Sequence, residues 1–204
     1  MIAIVDYGLG NVKAFYNVYK RLNIPVTIAK KANDLECAQK VILPGVGAFD
    51  HAMTLLNKSG MREQLDELAI NKKVPVLGVC VGMQMLANFS AEGSLPGLGW
   101  VEGEVCKFEL SKGNTTMRIP HMGWNNVKPH QSGGLMDGLN EDSMFYFLHS
   151  YYFRCLRSEN IIAISDYEGE FTCAVSSGNI YGVQFHPEKS HGWGSQLLEN
   201  FSKI

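Results

Sequence analysis

The stretch Pro75-Val76-Leu77-Gly78-Val79-Cys80-Val81-Gly82-Met83-Gln84 decides how this chain is read. Its first half is a short apolar run, the pattern of a parallel strand buried on both faces. Its second half opens a helical pattern. At the join, Gly78 and Gly82 each stand two residues from Cys80, the spacing of a nucleophile elbow with Cys in the place of Ser. A sharp strand-to-helix turn crowds the backbone, and glycine fits where a Cβ would collide. The spacing therefore predicts a thiol at the carboxyl edge of a sheet, above the first turn of a helix. Unpaired N–H groups and the helix dipole favour a thiolate there.

The surrounding pattern supports a sheet of that kind. Ile2–Val5 reads as a buried strand, followed by Gly8-Leu9-Gly10-Asn11 and a helix to about Leu22. The Gly-x-Gly there lacks the third glycine of a dinucleotide site, because Lys13 stands in its place. Strands follow at Pro25–Ala29 and Lys40–Leu43, then Pro44-Gly45-Val46-Gly47-Ala48-Phe49-Asp50. Two glycines directly after a strand leave accessible backbone N–H groups, which is how an oxyanion hole is built. Helices are expected over Ala48–Asn57 and Met61–Asn71, a strand over Val74–Val79, and a helix from Cys80 to about Phe89. This alternation predicts an α/β fold with a parallel sheet.

Ala91–Gly99 reads as loop, and beyond Trp100 the chain changes character. Short runs at Val101–Glu109, Thr116–Ile119, Trp124–Lys128, Ser143–Phe147, Ile161–Tyr167, Phe171–Ser177 and Ile180–Gln184 read as strands, several paired through turns such as Ser177-Gly178-Asn179. A helix over Trp193–Ser202 closes the chain. With no linker or repeat, residues 1–204 are expected to form one domain, mostly parallel with an antiparallel extension.

Composition narrows the function classes. Hydrophobic residues are 46% and charged residues 19% of 204, the balance of a soluble globular chain. A net charge of −2 gives no basic excess for nucleic acid or an anionic membrane. No apolar run reaches the roughly 18 residues of a membrane span. Met1-Ile2-Ala3-Ile4-Val5-Asp6 lacks the features of a signal peptide. Cys37, Cys80, Cys106, Cys155 and Cys173 are odd in number and form no CxxC pair, which points to a reducing cytoplasm without a disulfide framework or zinc site.

A cysteine nucleophile needs a base, and the base an orienting group. Tyr181-Gly182-Val183-Gln184-Phe185-His186-Pro187-Glu188 offers both. Residues i and i+2 of extended chain share a side, and Pro187 biases His186 towards extended geometry. Glu188 can then hold one ring nitrogen of His186 and leave the other facing the thiol. His51 and His130 read as surface residues. His121 and His149 sit in Pro120-His121-Met122-Gly123-Trp124-Asn125 and Phe147-Leu148-His149-Ser150-Tyr151 without an evident partner. His186, Glu188 and His191 do not make a convincing metal set, and no cofactor is expected.

Taken together, the elbow, the Phe185-His186-Pro187-Glu188 motif and their order resemble the class I glutamine amidotransferases over essentially the whole chain. The resemblance implies a flavodoxin-like sheet and a Cys80-His186-Glu188 triad acting on L-glutamine. The oxyanion would be held by backbone N–H groups of Val46, Gly47 and Val81, and the substrate by Gly45, Gln84, Glu92, Ser150 and Tyr151. Ile4-Val5-Asp6-Tyr7-Gly8-Leu9-Gly10-Asn11, the Pro44–Phe49 turn, the Pro120–Asn125 segment and Phe147–Tyr152 resemble the branch that passes ammonia to a (β/α)8-barrel synthase subunit as a heterodimer. Asn11, Met122 and Trp124 would face that barrel. The branch works in histidine biosynthesis, on a phosphoribulosyl nucleotide, and gives imidazole glycerol phosphate and an aminoimidazole nucleotide. Weak activity without the partner is expected. Val79 and Val81 stand where Ile and Leu are commoner. His191-Gly192-Trp193-Gly194 is less typical and leaves a paralogue serving surface-sugar amidation as the alternative. Other classes compatible with the motifs are a free-standing glutamyl hydrolase and a non-catalytic subunit.

Overall fold

The computed structural model describes residues 1–108, 118–130 and 133–204. Among these the main sheet has eight strands. Five are parallel: β1 (Ile2–Val5), β2 (Val26–Ala29), β3 (Lys40–Gly45), β4 (Val76–Cys80) and β13 (Ile180–Val183), in the order β2-β1-β3-β4-β13. Three antiparallel strands extend it beyond β13: β12 (Glu170–Ser177), β11 (Ile161–Asp166) and β8 (Lys128–Pro129). The fold is α/β, mostly parallel with an antiparallel extension, as expected.

Burial explains the parallel part. Every residue of β1 and β4 is buried, so both strands are apolar without alternation. Helices α1 (Val12–Arg21), α2 (Phe49–Lys58), α4 (Val81–Met85) and α5 (His191–Lys203) supply the cover, with α1 packed on α5 and α2 on α4. The Tyr19 hydroxyl donates to the Leu198 carbonyl at 3.1 Å and ties α1 to α5. Asn11 caps α1 by accepting from the Ala14 N–H, and Lys20 and Arg21 lie in its last turn, favourable to the helix dipole. The expected helix at Met61–Asn71 is α3 (Arg62–Asp66) running into a π-helical turn over Glu67–Asn71. No helix among the described residues is long and apolar enough to cross a membrane.

Three expectations need correction. The helix after Cys80 stops at Met85 instead of Phe89, and Phe89–Ser90 is a short strand, β5, beside β6 (Gly103–Lys107). The Leu86 carbonyl accepts from Trp100 and Val101, and the Ala87 carbonyl from Gly99, so a returning loop takes the acceptors a longer helix would use. Trp124–Lys128 is two strands. β7 (His121–Asn126) pairs with β9 (Met144–His149), and the chain changes sheets at buried Val127 to form β8. Finally, β10 (Tyr151–Cys155) was not anticipated. It follows β9 after the single residue Ser150 and pairs antiparallel with β6. The expected strand at Thr116–Ile119 and the end of Val101–Glu109 fall wholly or partly outside the described residues.

Candidate active site

β4 lies between β3 and β13, with Cys80 beside Gly45 and Val79 beside Val183. The carboxyl ends of these three strands therefore bring together the Val46–Gly47 turn, Cys80 and the Gln184–Glu188 segment. Such an edge is where open α/β sheets place their ligands.

Cys80 has φ 56° and ψ −114°, a conformation costly for any residue with a Cβ and one that surroundings must enforce. The glycines supply that enforcement. A Cβ on Gly78 would lie 2.6 Å from the Gly82 oxygen, and one on Gly45 would lie 2.5 Å from the Gly82 nitrogen. A Cβ on Gly82 would run into the Leu43 carbonyl oxygen. Three glycines thus let β3, the elbow and the first turn of α4 lie in backbone contact. Cys80 is 4% exposed.

His186 follows β13 and is brought to the sulfur by strand pairing. Its backbone N–H donates to the Tyr146 carbonyl at 2.9 Å, and the Ser190 hydroxyl donates to its carbonyl at 2.6 Å. The ring Nδ1 meets Glu188 Oε1 at 2.9 Å, which leaves Nε2 to face the pocket that the ring shares with Cys80. Burial by itself would lower the imidazole pKa. The bonds to Cys80 and Glu188, and the charges behind them, outweigh burial and raise it to about 10. The site favours imidazolium at neutral pH. Glu188 Oε2 is buried with no hydrogen-bond partner among the described residues. A buried carboxylate so placed is tolerable only beside a cation.

A pocket of about 280 Å³ opens over Cys80. Its lining includes Val46, Gly47, Val81, Gln84, Glu92, Ser150, Tyr151 and His186, so most of the residues expected around the nucleophile share one wall. Glu92 is anchored there by the Phe49 N–H at the start of α2, 2.9 Å from Oε2. Gly45 packs beneath the elbow instead of lining the pocket. Asn11, Met122 and Trp124 lie outside it. Met122 and Trp124 project from the same side of β7 and are 64% and 44% exposed, and Trp124 stacks on His191 at 5.2 Å.

Other residues near the sulfur escaped notice in the sequence. The Tyr7 hydroxyl donates to the Pro44 carbonyl at 2.8 Å, beneath the glycine turn. Burial, with the charge of Cys80, pushes its phenol pKa up, so it stays neutral. Gln184 is fully buried and its Nε2 lies 3.8 Å from Cys80 Sγ. The alternation expected to pair His186 with Glu188 also sets Gln184 on the same side, so this signal was available. His149 and Lys189 complete the pocket wall. No group of three or more His, Cys, Asp or Glu among the described residues could hold a metal ion.

A cysteine at a strained strand–helix elbow, sharing a pocket with an imidazole that a carboxylate orients, is the apparatus of a cysteine-nucleophile hydrolase on an α/β sheet. Comparison with known proteins narrows the class. Residues 3–204 match the family described as glutamine amidotransferase class-I. The chain is 61% identical over 204 residues to "imidazole glycerol phosphate synthase subunit HisH" of Bdellovibrio bacteriovorus, with 100% of both chains covered. It is 51% identical to the protein of the same name from Leptospira borgpetersenii, again with 100% of each covered. A solved glutamine amidotransferase superposes with TM-score 0.74 at 19% identity, covering 100% of this chain and 99% of the other. This chain belongs to the class-I glutamine amidotransferase family. It is an enzyme that hydrolyses the side-chain amide of glutamine and supplies the ammonia.

Proposed function

We propose that the chain is the glutaminase subunit of an imidazole glycerol phosphate synthase, acting in the cytoplasm as one domain over residues 1–204. Cys80 would be its nucleophile and His186 and Glu188 its proton-handling pair. The observation that carries the chemistry is the convergence of Cys80 and His186 on one pocket, with Glu188 bonded to the far ring nitrogen at 2.9 Å. The likeness to the HisH subunits supports the pathway and a (β/α)8-barrel partner.

The Cys80 thiolate attacks the side-chain amide carbon of glutamine. Backbone N–H groups of Val46, Gly47 and Val81 hold the oxyanion, each worth roughly 3 kcal/mol of barrier. As the C–N bond breaks, the His186 imidazolium gives its proton to the departing ammonia. The thioester then carries no charge on sulfur, so two of the influences that raise the His186 pKa are gone. Burial now pulls it down, and the neutral ring takes a proton from water as that water attacks the thioester. The C–S bond breaks, glutamate leaves and the thiolate returns. Gly45, Gln84, Glu92, Ser150 and Tyr151 position the substrate's polar ends. Ammonia passes to the barrel subunit across the face formed by Asn11, Met122 and Trp124.

The test mixes the purified chain with a (β/α)8-barrel synthase subunit and its phosphoribulosyl nucleotide. Glutamate release is expected to be slow alone and to rise at least tenfold in the complex, with imidazole glycerol phosphate formed. Acceleration only by a barrel from sugar amidation would overturn the acceptor and leave the glutaminase standing.

Replacing Glu188 by Gln keeps an acceptor for Nδ1 and removes the charge. Glutaminase kcat is expected to fall by about 10- to 100-fold, because the imidazolium loses its counter-charge. The melting temperature is expected to fall, since the buried His186–Glu188 pair loses its charge and the new amide nitrogen takes the place of an oxygen that has no partner. Calorimetry and steady-state kinetics on one preparation check both. An unchanged kcat in the folded variant would remove Glu188 from the proton-handling pair.

A further inference from the structure

The hydrogen-bond senses around the site can be assigned without ambiguity, because backbone carbonyls only accept. Asn125 Nδ2 meets the Asp166 carbonyl at 2.7 Å, which fixes it as the amide nitrogen, and the same atom lies 3.3 Å from His121 Nε2. His121 therefore accepts at Nε2 and donates from Nδ1 to His149 Nε2, 3.1 Å away. His149 in turn donates from Nδ1 to the Tyr151 carbonyl at 2.7 Å. That carbonyl takes a second bond, 3.2 Å, from Gln84 Nε2. The other Gln84 N–H points 3.0 Å to Gln184, so the Gln184 atom it meets must be Oε1. Gln184 is left with its NH2 towards Cys80 Sγ, at 3.8 Å.

We propose that Gln184 is a hydrogen-bond donor that stabilises the Cys80 thiolate, and that Gln84, fixed as a donor by the Tyr151 carbonyl, holds the Gln184 amide in the donating sense. This rests on the reading of Cys80 as the nucleophile. The donor favours the anionic sulfur, whereas the Leu148 carbonyl, 3.9 Å away, accepts only from the protonated thiol. Gln184 is thus a reason for the site to keep a thiolate on the side His186 does not reach. His149 donates to the same Tyr151 carbonyl, and burial keeps it and His121 neutral, lowering His121 to about 4 and His149 to about 3.

The test follows alkylation of Cys80 by iodoacetamide against pH in the full chain, resolved from the other cysteines by peptide mass spectrometry. It needs neither glutamine nor partner, so its outcome is separate from that of the proposed function. Other titratable groups facing the sulfur or its pocket are His186 with Glu188 behind it, Tyr7, His149, Glu92 and Lys189. The Gln184 variants leave these in place. In Gln184→Met, which preserves volume, the alkylation midpoint is expected to rise by about one pH unit. In Gln184→Glu, which can still accept from Gln84, it rises further. Gln84→Leu, which removes the donor that fixes the Gln184 oxygen, gives a smaller rise. Gln184→Glu gives the reading if Gln184→Met does not fold. A folded Gln184 variant with an unshifted or lowered midpoint overturns the proposal.

Discussion

Cys80→Ala is expected to remove glutamine-dependent turnover by roughly four to six orders of magnitude, the loss typical of deleting a covalent nucleophile. The same variant, in complex with its barrel partner, should still form product from added ammonium at close to the wild-type rate. The two halves follow from one geometry. The sulfur is the only atom removed, and it lines an open pocket, so packing loses little, about 1 kcal/mol or less. The strained φ of 56° is borne by the glycine contacts beneath it and persists in alanine. Met122 and Trp124, proposed to face the partner, lie outside the pocket and are untouched. Parallel assays with glutamine and with ammonium decide it. Loss of ammonium use with the complex intact would mean that Cys80 supports the partner's chemistry and is not the nucleophile.

Gly82→Ala should do the opposite, sparing the chemistry in principle and breaking the scaffold. The new methyl would overlap the Leu43 carbonyl oxygen and lie 3.0 Å from the Leu43 carbonyl carbon and 3.3 Å from that of Pro44. These are backbone atoms of β3, a central strand, and no side chain can swing aside. Relief requires prising α4 from β3, which also displaces Cys80 and the glycine turn. A cost above about 3 kcal/mol is expected, hence a melting temperature lower by about 10 °C. Gly47→Ala is the matched comparison. Its φ of +86° makes any Cβ strained, yet nothing lies within 4 Å, so its cost should stay near about 1–2 kcal/mol. Thermal unfolding of the pair separates collision from backbone strain. Equal shifts would show that the elbow relaxes more readily than its close contacts imply.

The local pattern went far with this molecule. Apolar runs without alternation marked β1, β3 and β4, because strands covered on both faces need no polar side. Glycines two residues either side of Cys80 marked the elbow, since only a backbone collision demands them there. His186 and Glu188 were legible as a pair from their spacing around Pro187, but the extended chain expected there is a 3₁₀ turn over Pro187–Lys189, which still brings the carboxylate to Nδ1. Less could be read past Trp100, where antiparallel strands are short and their partners distant. β9 and β10 are separated by Ser150 alone and belong to different sheets, a division no turn signal announces. The helix after Cys80 was overextended because its apolar pattern continues while a loop from Gly97 onward takes its carbonyls.

By itself, then, the sequence determined the α/β class, the elbow at Cys80 and the pairing of His186 with Glu188, each set by residues near one another in the chain or by the glycine content of one turn. Tertiary structure alone decided which polar groups close around that thiol. Gln84 meets Gln184 across 100 residues and His121 meets His149 across 28, on strands whose pairing no local pattern specifies. A buried amide or imidazole looks the same in sequence whether or not it has a partner. Only the fold, by excluding water and bringing the strands into register, settles which atoms must satisfy one another.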